Sequence, residues 1–414
     1  MFGELTVKQI SVGMPSDAVG DEPSPRRRRF VGWRRGATYL VAMLLSLYVA
    51  ATIVRIYARR YDTFLIDYVR QSVAGTPALT ASPTHIFFLF VDHFEPDWDL
   101  PRTVEWATRY RALAARHRDS SGRPPQHTWF YPGEQIEPAI LTILQSLTRD
   151  GFGEVELHYH HEGDTAQTLT IGLRAAIAEF QTFGFLKTRS GQTAFAFIHG
   201  NESLDNADGE YCGVNTELRV LHDLGCFADF TFPSLYHRSQ PSTVNTVYAA
   251  RDDDRPKSYN TPYPLSDLRD GAADLAIFQG PVILAPTWNP RRLFIDVDDG
   301  NIHAGMPTDA RRVKRWVNAR IHVPERPDWL FVKVFAHSVS TADDEQEMFG
   351  GHFEQALTEL EQHYDDGRKY VLHYVTAREA YNLAMAAANG ATDAPAAHLD
   401  GEIPPYVAGV RPLP

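Results

Sequence analysis

Residues 85–94 read HIFFLFVDHF, and this stretch predicts a strand that is buried on both faces. The apolar residues run directly into Asp92 and His93, with Glu95 close behind. Burying an acid and an imidazole at a strand tip is unfavourable unless both find partners. The pair therefore predicts a general base beside a metal ligand.

Six further stretches have the composition of strands, and helical patterns of ten or more residues lie among them. These strand candidates are HTWFYPG (127–133), GEVELHYHH (153–161), TAFAFIHGN (193–201), FADFTFPS (227–234), GPVILAPT (280–287) and WLFVKVFAHS (329–338). Strands that alternate with helices predict βαβ units, a parallel sheet and the α/β fold class. About seven such units, with polar residues at the strand ends, indicate a barrel. The rival is an open doubly wound sheet, but the sequence has no glycine-rich nucleotide signature.

The first sixty residues differ from the rest of the chain in charge and hydropathy. Residues 1–60 carry a formal charge of +6, which leaves −18 for the remainder and argues against nucleic acid as a partner. Residues 37–54 are an uncharged run of eighteen, long enough to cross a bilayer, and predict a single membrane span at 36–57. Six arginines precede the run and three follow it. This bias favours a cytoplasmic N-terminus and a body outside the inner membrane of a bacterium.

The composition predicts five segments along the chain. They are a disordered basic cytoplasmic tail (1–35), a transmembrane anchor (36–57), a stalk (58–82), one catalytic domain (83–390) and a C-terminal tail (391–414) that is disordered or lies on the surface. Cys212 and Cys226 lack CxxC spacing, so a thiolate zinc site is not expected and both are interpreted as ordinary thiols.

Three histidines stand at the end of the strand candidate 153–161. Strand alternation places His158 and His160 on one face and His161 on the other. Imidazoles at positions i and i+2 of a strand end can reach one ion, and neutral imidazole is a preferred ligand of zinc and similar metals. The run therefore predicts a metal site that faces the pair at the end of 85–94, with the choice between His160 and His161 open.

Two other strand ends also finish in polar residues. His199 and Asn201 end the strand candidate 193–201, Asp205 follows it, and all three are candidate substrate-binding residues. His337 ends the strand candidate 329–338, and a histidine alone at a strand end suits a general acid because its ordinary pKa is about 6.5. Four aromatic side chains near the strand ends are candidates for stacking on sugar rings, namely Trp98, Trp129, Tyr131 and Trp288.

The order of these strand ends, closed by GRKYVLHYVTAREAYNLAM (367–385), resembles the polysaccharide deacetylase superfamily, that is, carbohydrate esterase family 4 and its relatives, over roughly residues 84–388. The resemblance implies a distorted (β/α)7 barrel, preceded here by one transmembrane helix. It also implies Zn²⁺ or another divalent metal that activates water to attack an acetyl group on a polysaccharide. The implied function is therefore a membrane-anchored polysaccharide deacetylase.

The resemblance also implies roles for individual residues. Asp92 would be the general base and His93 a metal ligand, although Asp92 can be the ligand instead. His158, with His160 or His161, would complete the metal site, and the late His337 would be the general acid. The chain departs from the family in two motifs. It has Asp-His where the family has two aspartates, and Glu162 where the family has a second histidine four residues after the first.

Two other functions remain open at this stage. A glycoside hydrolase needs two opposed carboxyl groups and no metal, and Glu95, Glu134, Glu137, Asp205 and Asp229 are candidates for that pair. A non-catalytic glycan-binding subunit of a polysaccharide assembly system would keep the barrel without turnover. The departure from the two-aspartate motif is the reason to consider this second alternative.

Overall fold

The structure is a computed structural model that describes residues 25–74, 83–287, 292 and 295–409. The chain forms two compact units, Met1–Arg55 and Ile56–Pro414. Helix α1 (Pro25–Ala58) provides the described part of the first unit, and its segment Gly36–Ala58 is long and apolar enough to cross a membrane. A signal sequence near the N-terminus meets the same criteria of length and apolar composition as this helix segment.

Helix α1 begins earlier than the sequence predicts. Its first turns lie within the segment 1–35, which is predicted to be disordered, so residues 25–35 are helical instead. The remainder of that predicted tail, 1–24, lies outside the described residues.

The second unit alternates strands and helices as predicted up to the helix Glu217–Asp223, but five strands follow one another between that helix and the helix Ala310–Ala319. Its strands are β1 (Thr84–His93), β2 (His127–Pro132), β3 (Gly153–Tyr159), β4 (Phe195–His199), β5 (Cys226–Asp229), β6 (Val247–Ala250), β7 (Leu275–Phe278), β8 (Ile283–Pro286), β9 (Ile295–Asp298), β10 (Trp329–Ala336) and β11 (Tyr370–Tyr374). Its helices are α2 (Leu65–Ala74), α3 (Leu100–Ala114), α4 (Pro138–Arg149), α5 (Ala166–Thr182), α6 (Glu217–Asp223), α7 (Ala310–Ala319), α8 (Ala342–Met348), α9 (His352–His363) and α10 (Ala377–Ala388).

The main sheet has the strand order β10-β1-β2-β3-β4-β5-β7-β6, and β11 pairs with the first half of β1. Every pairing in it is parallel except that of β6 with β7. The predicted α/β class and parallel sheet are thus confirmed. The segment 280–287, predicted as a further strand of the parallel set, is an exception, because β8 pairs antiparallel with β9 in a separate two-stranded sheet.

Strand β1 is buried on both faces, as its composition predicts. Alternate side chains belong to two different core clusters: Phe87, Leu89 and Val91 pack with residues of α10, whereas Ile86, Phe88 and Phe90 pack with residues of α3, α4 and α5. The same alternation continues to the carboxyl end of the strand, so Asp92 and His93 point to opposite faces. This local geometry decides what each of the two residues can contact.

The described part of the segment predicted as a stalk packs within the second unit. Tyr61 and Phe64 are buried together with Leu235 and Val244, and the hydroxyl of Tyr68 accepts a hydrogen bond from the amide of Leu284 at 3.2 Å. Residues 61–74 are thus integrated into the fold instead of forming a free stalk. The rest of the predicted stalk, 75–82, lies outside the described residues.

The predicted C-terminal tail also contributes to the core. Tyr406 and Ala408 are buried, and the amide of Val407 donates to the carbonyl oxygen of Lys187 at 2.9 Å. The Tyr406 hydroxyl donates to Oε1 of Glu156, a buried residue of β3, at 2.8 Å. Tyr406 and Ala408 are therefore core residues, whereas most of residues 391–405 lie on the surface, which is one of the two predicted possibilities. Residues 410–414 lie outside the description.

We expect Tyr406→Phe to destabilise the protein, because it removes a hydrogen bond from a buried carboxyl group. The free energy of unfolding should fall by about 1–3 kcal/mol, measured by urea denaturation in detergent. Tyr263→Phe is the control, because that half-buried tyrosine has no hydroxyl hydrogen bond to any residue the structure describes. Equal stability of the Tyr406→Phe variant and the parent would show that the tail adds nothing.

Candidate metal centre

Three side chains from the ends of β1 and β3 form a candidate metal centre. His93, Glu95 and His158 each direct one potential ligand atom into a region where these atoms lie within 4.8 Å of one another. Nε2 of His158 is 2.7 Å from Oε1 of Glu95, and the rings of His93 and His158 are 5.0 Å apart. Parallel strands bring these residues together because their carboxyl ends meet at one edge of the sheet.

His158 is oriented in the way that metal-binding histidines usually are. Its Nδ1 lies 2.9 Å from the carbonyl oxygen of Ile198 and donates to it. A histidine that carries its proton on Nδ1 has a free lone pair on Nε2, and this backbone acceptor also fixes the orientation of the ring. Nε2 of His158 therefore faces Glu95 and His93 in the form that can bind a cation.

Burial and neighbouring charges favour the ligand forms of the other two residues. Burial lowers the pKa of His93 well below its ordinary value, and the nearby His337 and His158 lower it further. Burial alone would raise the pKa of Glu95, but the contact with His158 and the neighbouring His337 and His160 outweigh it and the net pKa is lowered. A neutral imidazole and an ionised carboxylate are the forms that metals bind.

Two more histidines border the centre. His160 donates from Nδ1 to Oε1 of Glu134 at 2.6 Å, and its Nε2 lies 3.6 Å from Oε1 of Glu95. The ring of His337 is 4.5 Å from that of His93. The structure thus brings together four of the histidines that the sequence singles out, at the ends of β1, β3 and β10.

Asp92 faces away from this centre. Its carboxylate is buried and accepts hydrogen bonds from Nε2 of His127 and from the amide of Ser338, both at 2.9 Å, and from the hydroxyl of Ser338. Because both oxygens are engaged on the opposite face of β1 from His93, the predicted role of Asp92 as general base or ligand is corrected. Asp92 instead anchors the residue that follows His337.

Trp129 and Tyr131 do not form a sugar-binding surface. Both are buried in the core on the same face of the sheet as Asp92, and the hydroxyl of Tyr131 donates to the carbonyl oxygen of Gln135 at 2.9 Å. The predicted stacking role of these two residues is therefore wrong. Trp98 is 56% exposed and keeps that possibility, whereas Trp288 lies outside the described residues.

His161, His199 and Asp205 do not join the centre either. All three are buried, and they lie around Glu217, the first residue of α6. His161 is therefore not a ligand of the first centre, and a polysaccharide cannot reach His199 or Asp205. Asn201 is exposed, and its contact with substrate stays a prediction.

Two residues of this region were missed or misjudged from sequence. Glu95 was considered only as a glycosidase carboxyl, although its position two residues after His93 was a usable signal. Lys333, on β10, is buried and donates to the carbonyl oxygens of Phe230 and Phe232. Burial lowers its pKa to about 7. A single lysine inside the apolar run WLFVKVFA is an unfavourable burial that sequence reasoning can detect.

The chain matches no model of a known protein family, and no curated protein is significantly similar to it in sequence. The side-chain geometry is therefore the main support for a functional assignment. The donors of the centre, two imidazoles and a carboxylate, are the set that catalytic zinc sites commonly use, and the remaining coordination position is then available to water or substrate.

Separate substitutions of His93 and Asp92, which are adjacent in β1 but lie on opposite faces, test the site. We expect His93→Ala to contain one equivalent less zinc than the parent, with an affinity loss on the order of 100-fold or more. Asp92→Asn should keep its metal and lower the thermal stability, because it weakens the contacts to His127 and Ser338. Elemental analysis and thermal denaturation measure the two effects. Loss of metal in Asp92→Asn but not in His93→Ala would contradict the assignment.

Proposed function

We propose that the chain is a membrane-anchored, metal-dependent hydrolase that removes N-acetyl or O-acetyl groups from a bacterial surface or exported polysaccharide. The observation that carries the proposal is the convergence of His93, Glu95 and His158 on one point at the carboxyl edge of the sheet. The resemblance of the sequence to polysaccharide deacetylases supports the reaction class, and with it closure of the sheet into a distorted (β/α)7 barrel.

The donor set fits a divalent metal such as Zn²⁺. When bound, such a metal supplies Lewis acidity, which acidifies water and polarises the carbonyl of the acetyl group. His93, Glu95 and His158 would hold it. His93 has no hydrogen bond from either ring nitrogen to any described residue, so its nitrogens are available to a cation.

His160 replaces Asp92 as the proposed proton acceptor. Glu134 holds Nδ1–H of His160, which directs the Nε2 lone pair towards Glu95 and the centre. A histidine oriented in this way by a carboxylate can take a proton from the attacking water. Burial lowers the pKa of His160, but the hydrogen bond to Glu134 outweighs it and the net pKa is raised.

His337 is the proposed proton donor to the departing amine or alcohol. It lies beside His93 at the end of β10, and the bonds from Ser338 to Asp92 hold the chain directly after it. The exposed Trp98, three residues after Glu95, offers an aromatic face to a sugar ring at this edge. These positions let the acetyl group approach the centre while the polymer stays outside.

The membrane helix and the charge bias complete the proposal. Helix α1 would anchor the chain in the inner membrane, and the excess of arginines before the span favours a cytoplasmic N-terminus. The hydrolase unit would then work in the periplasm or outside the cell, where exported polysaccharide is accessible.

A glycoside hydrolase is the second candidate, and one observation favours it. Burial raises the pKa of Glu202 to about 8, so this carboxyl group keeps its proton near neutral pH. A protonated carboxylic acid is the proton donor that glycosidases use. Chelation separates the two candidates, since it should abolish deacetylation and leave an ordinary glycosidase active.

We expect purified protein to release acetate from acetylated glycans, and His158→Ala to lose at least about 100-fold in kcat/KM together with bound metal. Glu162→Gln is the control, because Glu162 is exposed and stands four residues after His158, where the related family has its second histidine. Activity that survives a chelator, or equal loss in the control, would contradict the proposal.

Glu134→Gln should separate proton transfer from metal binding. We expect a decrease in kcat of about 10- to 100-fold, because His160 loses the carboxylate that orients it. This is less than the roughly 100- to 10,000-fold that general-base catalysis contributes, since His160 itself remains. The metal content should equal that of the parent. Kinetics combined with elemental analysis test this, and simultaneous loss of the metal would show that His160 or Glu134 is a ligand instead.

A further inference from the structure

A second group of potential ligands lies around the start of α6. His161 follows β3, His199 ends β4, Cys212 lies in the loop between β4 and α6, and Glu217 opens the helix. All four are buried, and one ligand atom from each lies within 4.8 Å of those of the others. We propose that these four side chains form a second metal site, which holds a structural Zn²⁺ ion.

Each of the two imidazoles has an oxygen atom next to its Nδ1. Nδ1 of His161 lies 3.3 Å from the carboxylate of Asp164. Nδ1 of His199 contacts the carbonyl oxygen of Gly200, which is nearer to it than the amide nitrogen of Ser203. Where such an oxygen accepts the Nδ1 proton, Nε2 is available to bind a metal ion, which is the usual arrangement behind a metal-bound histidine.

The Nε2 atoms of the two imidazoles converge on one carboxylate oxygen. Nε2 of His161 is 3.1 Å and Nε2 of His199 is 3.4 Å from Oε1 of Glu217. Nε2 of His199 is fully buried and forms no hydrogen bond with any described residue. A lone pair on an imidazole nitrogen repels a carboxylate unless a cation lies between them. One proton can bind to only one of the two imidazoles, whereas one metal ion can bind to both.

The fourth donor and the spacing fit zinc. Sγ of Cys212 lies 3.3 Å from Oε2 of Glu217. Donors about 2.0–2.3 Å from zinc at tetrahedral corners are about 3.3–3.7 Å apart, which is close to the observed separations. Thiolate and imidazole together favour Zn²⁺ over harder cations. Four protein donors leave no open position, so the ion would tie the β3 and β4 loops to α6 without taking part in turnover.

This site is separate from the candidate catalytic centre, and the inference does not depend on the proposed function. Within the described chain, Cys226 is the only other cysteine, and its Sγ contacts the carbonyl oxygen of Ala228 in β5. Neither cysteine belongs to the group formed by His93, Glu95 and His158. A metal–thiolate signal would therefore report the second site alone.

The test uses the full chain in detergent, produced once in zinc-supplemented medium and once in cobalt-supplemented, zinc-depleted medium. We expect two equivalents of zinc in the parent and one in Cys212→Ser. The cobalt form should show a sulfur-to-cobalt charge-transfer absorption that persists in His93→Ala and in the matched control Cys226→Ser, and that disappears in Cys212→Ser.

The outcomes separate the two sites even if Cys212→Ser does not fold. If the parent holds one equivalent of zinc and His93→Ala keeps it, the result supports the second site and contradicts the hydrolase proposal. If the parent holds one equivalent and His93→Ala loses it, the result overturns the second site. A metal-free parent, a cobalt-loaded parent without the thiolate absorption, or an absorption lost in Cys226→Ser or His93→Ala also overturns it.

Discussion

The burial of β1 on both faces is the constraint on which the rest of the structure depends. The carboxyl end of this strand is buried, so the polar groups of Asp92 and His93 need partners other than bulk water. Asp92 obtains them from His127 and Ser338 on one face. His93 meets the histidines of β3 and β10 on the other. The alternation of side chains along β1 thus places the structural contacts of Asp92 on one face and the candidate metal ligand His93 on the other.

The same alternation divides the histidine run of β3. His158 and His160 point to the edge that carries Glu95, and the next residue, His161, points to the pocket around Glu217. Gly200 lies between the two groups, and a Cβ atom there would come within 2.4 Å of the ring of His160. A single sequence motif therefore supplies side chains to both groups of potential metal ligands.

The polar interior around these centres is stabilised by partners distant in sequence. The ammonium group of Lys333, on β10, donates to the carbonyl oxygens of Phe230 and Phe232, which follow β5, and of Phe278 in β7. Tyr406, near the C-terminus, reaches Glu156 on β3. An edge built in this way is rigid, and rigid placement is what a metal centre and its proton-transfer residues require.

Local patterns in the chain were enough to predict the long apolar helix α1, the α/β class, the parallel strands and the clustering of His93, His158, His160 and His337. These features follow from hydropathy, strand periodicity and the rule that parallel strands share one polar edge. Tertiary contacts alone decided which partners the remaining residues have. Asp92 is 35 residues from His127 and 246 from Ser338, and sheet register and loop paths choose such partners. For the same reason Trp129 is a core residue, the C-terminal segment is part of the fold, and Cys212 lies beside two histidines.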